Sequence, residues 1–371
     1  MDIATPRERS VAGRRAPSAH DTANRITQEF HETSYAHPVI FLSVILTLYL
    51  GTIATIGLSD SWVAKLLCGV VLSIAVGKLF VVGHDACHGS FTPSARLNRT
   101  ISFIALTVAY HVPATWRYWH NVVHHAFTND LTRDFVWRPL SRAEFAASPR
   151  WRRRLERLYR HHSSVGIGLY YLLEILLPKM LVVPPVGASK ATRSARLQMV
   201  AFHLFHLSVL GWLAMGSSLF SGSWPSVADV AVNLACGFVG PLLYVCYALG
   251  FVVYFNHTHP EIKWYRGMTA GFTDHQTSAT LYLKFQGISE FLLPSDIMSH
   301  VAHHLDTKIP VRHLPKAQER LVEQSGLSIR VEIWSWAFQS RVMRICKLYD
   351  PDEHQWTGFE GDVGLAIARR G

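Results

Sequence analysis

Long apolar runs, separated by short polar breaks, dominate the chain and come in pairs. Residues 39–58, 62–82, 197–220 and 227–255 each approach the roughly 20 residues that a bilayer-crossing helix needs. The first pair turns at Ser59-Asp60-Ser61 and the second at Ser221-Gly222-Ser223-Trp224-Pro225. This pattern predicts four transmembrane helices in two hairpins. Lys65 and Lys78 fall near the ends of the second span, where a long side chain can snorkel. Asp229 and Asn233 fall near the start of the fourth, a tolerable place for polar groups.

Shorter runs predict the rest. Residues 101–112 are apolar but too few to cross at about 1.5 Å per residue, so they read as a re-entrant or interfacial helix leading to Trp116, Tyr118 and Trp119. Residues 166–184 hold Glu174 and Lys179 and end at Pro184-Pro185; they read as a helix lying in the interface, anchored by Tyr170 and Tyr171. From Val301 to Ser340 the pattern is that of soluble amphipathic helix, with Leu314, Leu321, Val331 and Trp334 on its inner face. No stretch alternates as a strand would, so the expected fold is all-α and integral to the membrane. Residues 1–37 mix charges with Pro, Ser and Ala and lack an apolar run, which predicts a disordered cytoplasmic tail. A single domain over 38–358 and a C-terminal tail over 359–371 complete the expected organisation.

Composition agrees with the spans. The chain is 49% hydrophobic but only 17% charged, where an average soluble domain carries about 25% charge. Neither hairpin turn contains Lys or Arg, whereas the segment between the hairpins is rich in Arg, including Arg150 and Arg152-Arg153-Arg154. Basic loops stay on the cytoplasmic side, so both termini and the central segment are expected there, as a helical cap. The five cysteines are scattered (Cys68, Cys87, Cys236, Cys246, Cys346) and form no C-x-x-C pair, as expected of a reducing compartment rather than a secreted disulfide scaffold. Abundant Arg and Ala suggest a bacterial cytoplasmic membrane. No nucleic-acid partner is expected.

The chemistry lies in the histidines. His84 and His88, then His120, His124 and His125, then His257 and His259, then His300, His303 and His304 form four clusters beside the apolar runs, with His111 just ahead of the second. Four residues apart on a helix, two side chains lie about 40° apart around the axis, so His84 and His88 share a face, as do His120 and His124. His125 lies about 100° further round and needs either a looser local helix or a second metal. His300, His303 and His304 make a compact face of three imidazoles. Imidazole is the commonest metal ligand at neutral pH. One ion cannot use eight such rings, so two metals are expected, and nitrogen-rich ligation favours iron handling dioxygen over a hard cation. Because two clusters end the second and fourth spans and the others lie on the same face, all should converge on the cytoplasmic side. Asp85 and Asp296 could accept a free ring N–H, and Asn256 could hold a metal-bound water. His203 and His206, inside the third span, suit a tunnel lining or interhelical hydrogen bonds. His20, His31, His37, His161, His162, His313 and His354 read as polar tips facing water.

With GHDACHGSF at 83–91, HNVVHH at 120–125, NHTHP at 256–260, HVAHHL at 300–305 and the tail KLYDPDEHQW, the chain resembles the membrane fatty acid desaturases, and within them the acyl-lipid Δ12/ω6 branch, from about residue 38 to 358. That resemblance implies a di-iron centre that activates O2 and sets a cis double bond into an acyl chain. It implies His84, His88, His120, His124, His125, His300, His303 and His304 as ligands, with His257 or His259 supplying one more. The second cluster departs from the branch's H-x-x-H-H, which would place a histidine at Asn121 where this chain has His120. An external electron donor such as ferredoxin or a cytochrome b5-like protein is expected, because no G-x-G-x-x-G element is present. The Arg-rich segment 150–160 suits an acidic donor, or equally topology and anionic headgroups. A hydroxylase or ketolase of a lipid, alkane or carotenoid would use the same scaffold, and a haem-carrying or metal-transporting membrane protein is the non-enzymatic alternative.

Overall fold

The computed structural model describes residues 18–182, 190–267, 271–287, 290 and 295–360, and the chain is mostly helical. α1 (Ala19–Gln28) precedes two long helices, α2 (Ala36–Leu58) and α3 (Trp62–His88), which are joined by three residues and packed along each other. α4 (Ala95–Val108) returns against α3, and α5 (Pro113–Arg117) runs on into a π-helical stretch, Tyr118–His124. Then come α6 (Arg142–Ala147), α7 (Arg150–Tyr159) and α8 (Gly166–Tyr170), the last continuing as π-helix through Met180. The second apolar pair consists of α9 (Lys190–Met215), the short α10 (Ser218–Ser221), and α11 (Val227–Leu234), joined through a π-helical Ala235–Val239 to α12 (Gly240–His257). α13 (Phe272–Ala279), α14 (His300–Leu305), α15 (Leu314–Gln324) and α16 (Trp336–Ile345) follow.

Among the described residues, four helices are long and apolar enough to cross a membrane: α2, α3, residues 193–215 of α9, and the unbroken 227–257. They are not equivalent. About half of the apolar window of α3 and of 227–257 is buried (50% and 56%), against 22% and 17% for α2 and α9, so α3 and α12 form the interior of the bundle. These two helices carry His84, His88 and His257 at their ends. The outer pair presents Ile40, Leu50, Leu197, Val200 and Leu204, all more than half exposed, an arrangement suited to lipid and unfavourable in water. α8 crosses α12 so closely that a Cβ on Gly250 would lie 2.7 Å from Ile167 O; only glycine permits that approach, and it brings the 171–180 stretch to the inner helices.

Four expectations change. The fold is not purely helical: β1 (Tyr282–Lys284) pairs in parallel with β2 (Val331–Ile333), and β3 (Leu348–Asp350) antiparallel with β4 (Gln355–Thr357). Strands of three residues are too short for their alternation to show in the sequence. The same pairing takes Val331 out of the predicted amphipathic helix, which is three separate helices with a strand between. Residues 18–37 are not a free tail. α1 opens on a Ser18/Asp21 capping box, buries Ala23 and Ile26, and is tied down by His20–Asp274 (2.9 Å), His31–Asp306 (2.6 Å) and Arg320–Glu29 (2.5 Å). Finally, Tyr170 and Tyr171 are buried rather than interfacial: Tyr170 stacks on Trp137 at 3.7 Å, and the Tyr171 hydroxyl meets His111 Nε2 at 2.8 Å. Residues 1–17, 183–184 and 361–371 of the predicted tails and interfacial helix lie outside the described residues; Phe359 packs on Phe145.

Candidate metal centre

The helix ends bring eight imidazoles into two groups of four. His84, His88, His120 and His303 offer nitrogen atoms all within 4.8 Å of one another, and so do His124, His257, His300 and His304. The first group draws on α3, the 118–124 stretch and α14; the second on that stretch, α12 and α14. The looser local helix that His125 requires is the π-helix itself, closed by His125 N donating to His120 O at 3.1 Å. An i→i+5 turn is wider than an α-turn, and it lets one short segment point His120 at the first group and His124 at the second. His125 lies between them, its Nε2 3.0 Å from His120 Nε2 and its ring 4.7 Å from that of His303 and 4.4 Å from that of His304.

The hydrogen bonds assign the tautomers of the second group. His257 Nδ1–H donates to Ala279 O (3.2 Å), and His300 Nδ1–H to Ile297 O (3.1 Å). His304 Nδ1–H donates to Gln276 Oε1 (2.9 Å), and His124 Nδ1–H to the Asp134 carboxylate (3.1 Å). Each ring therefore turns an Nε2 lone pair inward. His257 Nε2 and His304 Nε2 stand only 2.9 and 3.0 Å from His300 Nε2. Lone pairs so close repel unless a cation lies among them, so the donor set fits a metal ion.

The first group is held differently. Trp116 stacks on His120 at 4.2 Å and sets its edge against His84 and His88. His84 Nδ1, His88 Nε2 and His303 Nε2 are buried without a hydrogen-bond partner, which again suits ligation. Burial above all, and the charge of neighbouring imidazoles after it, hold His120, His125, His303 and His304 far below the usual imidazole range; burial and His124 bring His300 down to about 3. The rings are thus neutral and able to ligate at physiological pH.

Other expected residues lie elsewhere. His259 follows the end of α12, where Thr258 is extended, and turns to Glu332 (3.3 Å) and Phe338, away from both groups. Asp85 accepts from Ser90 Oγ (2.7 Å) and Val311 N (3.1 Å) rather than from a ring, and so pins the end of α3 to the 310–312 turn. Asn256 Nδ2 donates to Met298 Sδ at 3.4 Å while its Oδ1 is buried without a partner. The side chain of Asp296 lies outside the described residues. His203 and His206 bond to carbonyls of their own helix. The orienting groups that sequence spacing did not single out are Asp134, Gln276 and Thr128. Asp134 also accepts the N–H of Asn129, a left-handed residue (φ 55°) in the polar stretch directly after the second cluster.

Beside both groups lies a narrow, largely apolar cavity of about 40 Å³, with Phe80, Trp116, Tyr171, Ile175, Leu249 and Val252 among its walls and His84, His120, His124 and His300 at its metal-facing end. A methylene group could be held there with a C–H bond against the imidazoles.

Comparison with known proteins points the same way. The family described as fatty acid desaturase matches residues 60–336. The chain is 24% identical over 281 residues to the chloroplastic omega-6 fatty acid desaturase of Arabidopsis thaliana, covering 76% of this chain and 58% of that one. Over 328 residues it is 26% identical to the sn-1 oleoyl-lipid 12-desaturase of Synechocystis sp. (88% and 86% covered). Over another 328 it is 27% identical to that organism's sn-1 acyl-lipid omega-3 desaturase (ferredoxin), with 85% and 84% covered. The chain spans 58% and 64% of the length of the Arabidopsis and Glycine max chloroplast relatives.

Proposed function

The chain belongs to the fatty acid desaturase family, and from that premise we propose that it is an O2-dependent acyl-lipid desaturase of the Δ12/ω6 type with two irons in its histidine groups. The observation that carries the reading is the gathering of eight imidazoles into two groups of four, the ring nitrogens of each group within 4.8 Å of one another, at the end of an apolar cavity. His84, His88, His120 and His303 would hold one ion, with His125 beside them, and His124, His257, His300 and His304 the other. His257, not His259, is the ligand contributed by the end of α12. An unactivated methylene has no acidic proton, and two irons would supply the oxidising power to remove its hydrogens.

The protein's own part is positioning. Phe80, Ile175, Leu249 and Val252 line a dry slot that confines the acyl chain and fixes which C–H faces the imidazoles. Asp134, Gln276 and the carbonyls of Ala279 and Ile297 retain the Nδ1 protons, so the Nε2 atoms stay available as ligands. Two hairpins place the groups at one end of the bundle, under a helical cap facing the cytoplasm, in a bacterial inner membrane. Electrons come from a separate donor, a ferredoxin as printed for the Synechocystis omega-3 relative or a cytochrome b5-like protein. The test is expression in a host that makes only monounsaturated lipid, with fatty-acid profiling and double-bond localisation. New double bonds at Δ12 or ω6 support the reading; added oxygen would make the chain a hydroxylase. The His304→Ala protein should insert in the membrane and add no unsaturation, and full activity there would remove His304 from the ligands.

A further inference from the structure

Many arginines of this chain are neutralised by carboxylates: Arg138 by Glu144, Arg152 by Glu156 and Glu174, Arg157 by Glu360, Arg266 by Asp352 and Arg320 by Glu29. Arg96, Arg99, Arg117, Arg193 and Arg196 are different. None forms an ion pair among the described residues, all are exposed, and the segments that carry them, 86–118 and 193–198, contain no Asp or Glu. Five cations without a counter-charge, gathered from three elements, make a surface that awaits an anion.

These elements enclose a groove. The end of α3 gives Cys87 and His88, α4 gives Arg99 and Phe103, α5 gives Arg117, and the start of α9 gives Gln198, around a cavity of about 500 Å³. The groove shares no lining residue with the apolar cavity at the metal groups but lies one turn from it: His84 lines the cavity and His88 the groove, Trp116 the one and Arg117 the other. Much of the polar lining is already engaged. Asn98 Nδ2 donates to the carbonyls of Gly89 and Thr92, while Gln198 Oε1 accepts from Ala114 N. The guanidiniums of Arg99 and Arg117 remain as the unengaged donors. Beyond them the same helices turn apolar and exposed: Ile104 on α4, and Leu197, Val200 and Leu204 on α9. A cationic mouth above a greasy wall at the start of a span has the shape of an amphiphile, which a soluble anion would not need.

We propose that this groove binds the phosphate of a glycerophospholipid, with Arg99 and Arg117 on the phosphate oxygens and the acyl chains along α4 and α9. Guanidinium suits that geometry because its planar fork can donate two parallel bonds to a phosphate. Taken with the desaturase reading, on which this further step rests, the acyl chain is presented to the metal centre on a phospholipid rather than on a sugar lipid or a thioester.

The experiment reads binding without turnover. Purified full-length protein is offered equal amounts of phosphatidylglycerol and monogalactosyldiacylglycerol with the same acyl chains, and retention is measured by native mass spectrometry, with free CoA as competitor. The wild type should retain phosphatidylglycerol in preference, and CoA should not displace it. The Arg99→Gln/Arg117→Gln pair should bind about tenfold more weakly, the loss of a charge-assisted bond or two, whereas the Arg266→Gln protein should match the wild type. The Arg99→Lys/Arg117→Lys pair keeps the charge and should recover most of the binding, which an unfolded protein could not. Unchanged phosphatidylglycerol retention in the Gln pair overturns the proposal, as does displacement by CoA. A wild type that binds as described but adds no double bond would count against the desaturase reading and leave this site standing.

Discussion

The two histidine groups offer four imidazoles each and are held by different forces. Every ring of the second group gives its Nδ1 proton to a fixed acceptor: Asp134, Gln276, or the carbonyl of Ala279 or Ile297. In the first group, His84 Nδ1, His88 Nε2 and His303 Nε2 have no partner, and the orientation comes from the face and edge of Trp116. Hydrogen bonds fix both the direction and the tautomer of a ring; packing fixes only its direction. The second group is therefore the preorganised one and should retain its metal longer against a chelator.

The strongest way to break this contrast is Asp134→Asn. The amide keeps the shape but turns its NH2 toward one of the two backbone N–H groups that the carboxylate oxygens accept, that of Asn129 or that of Val136, and weakens the hold on His124. Metal affinity of the second group should fall about 10- to 100-fold, with the first unchanged, in a titration of the metal-free protein. Equal loss at both sites would mean that the groups are one unit. Trp116→Ala is the converse and should weaken the first group by about tenfold, with Trp116→Phe recovering part of it because a ring still covers His120. Weakening of the second group instead would place Trp116 in the wrong support.

Acid should act on both. His120, His125 and His303 in the first group, and His300 and His304 in the second, have folded-state pKa values lowered by burial. The unfolded chain takes protons near pH 6.5 that the folded chain refuses, so stability is flat above that pH and is lost as pH falls toward the folded values, about 3 for His300. The slope approaches about 1.4 kcal/mol per pH unit for each such ring. Thermal unfolding of the metal-free protein at pH 8, 6.5 and 5 checks this; a melting temperature that does not drop below pH 6.5 would mean that the rings already carry protons in the fold.

Spacing carried the sequence reading as far as local geometry reaches. H-x-x-x-H at His84 and His88 puts two rings on one helix face whatever the tertiary fold, and the position of His125 off the α-helical face left either a looser turn or a second metal to account for it; the turn is π-helical. The choice between His257 and His259 was not legible, because it depends on where α12 stops: one extended residue, Thr258, sends His259 to Glu332. Asp134 and Gln276 were hidden for a related reason. A carboxylate ten residues from its histidine, or a carboxamide 28 away, becomes an orienting group only after the loop and α13 are in place. α1 is the extreme case. Its composition is that of a disordered tail, and what orders it is contact with residues more than 250 positions away.

That contact gives the smallest effect and the finest test of the contrast. His20 reaches Asp274 on α13, two residues before Gln276, which orients His304 in the second group, whereas His31 reaches Asp306 at the end of α14, which carries rings of both groups. The pair is exposed, 45% and 56%, and such surface pairs contribute about 0–1 kcal/mol. His20→Ala should therefore shift the metal affinity of the second group by no more than about twofold, because Ala23, Ile26 and Arg320 still seat α1 and only a fraction of that small energy passes through α13. The first group should not move at all. If removing His20 weakened the first group as much as the second, the rings would be coupled through α14, which carries members of both, and the difference in how they are held would not be a difference in how they bind.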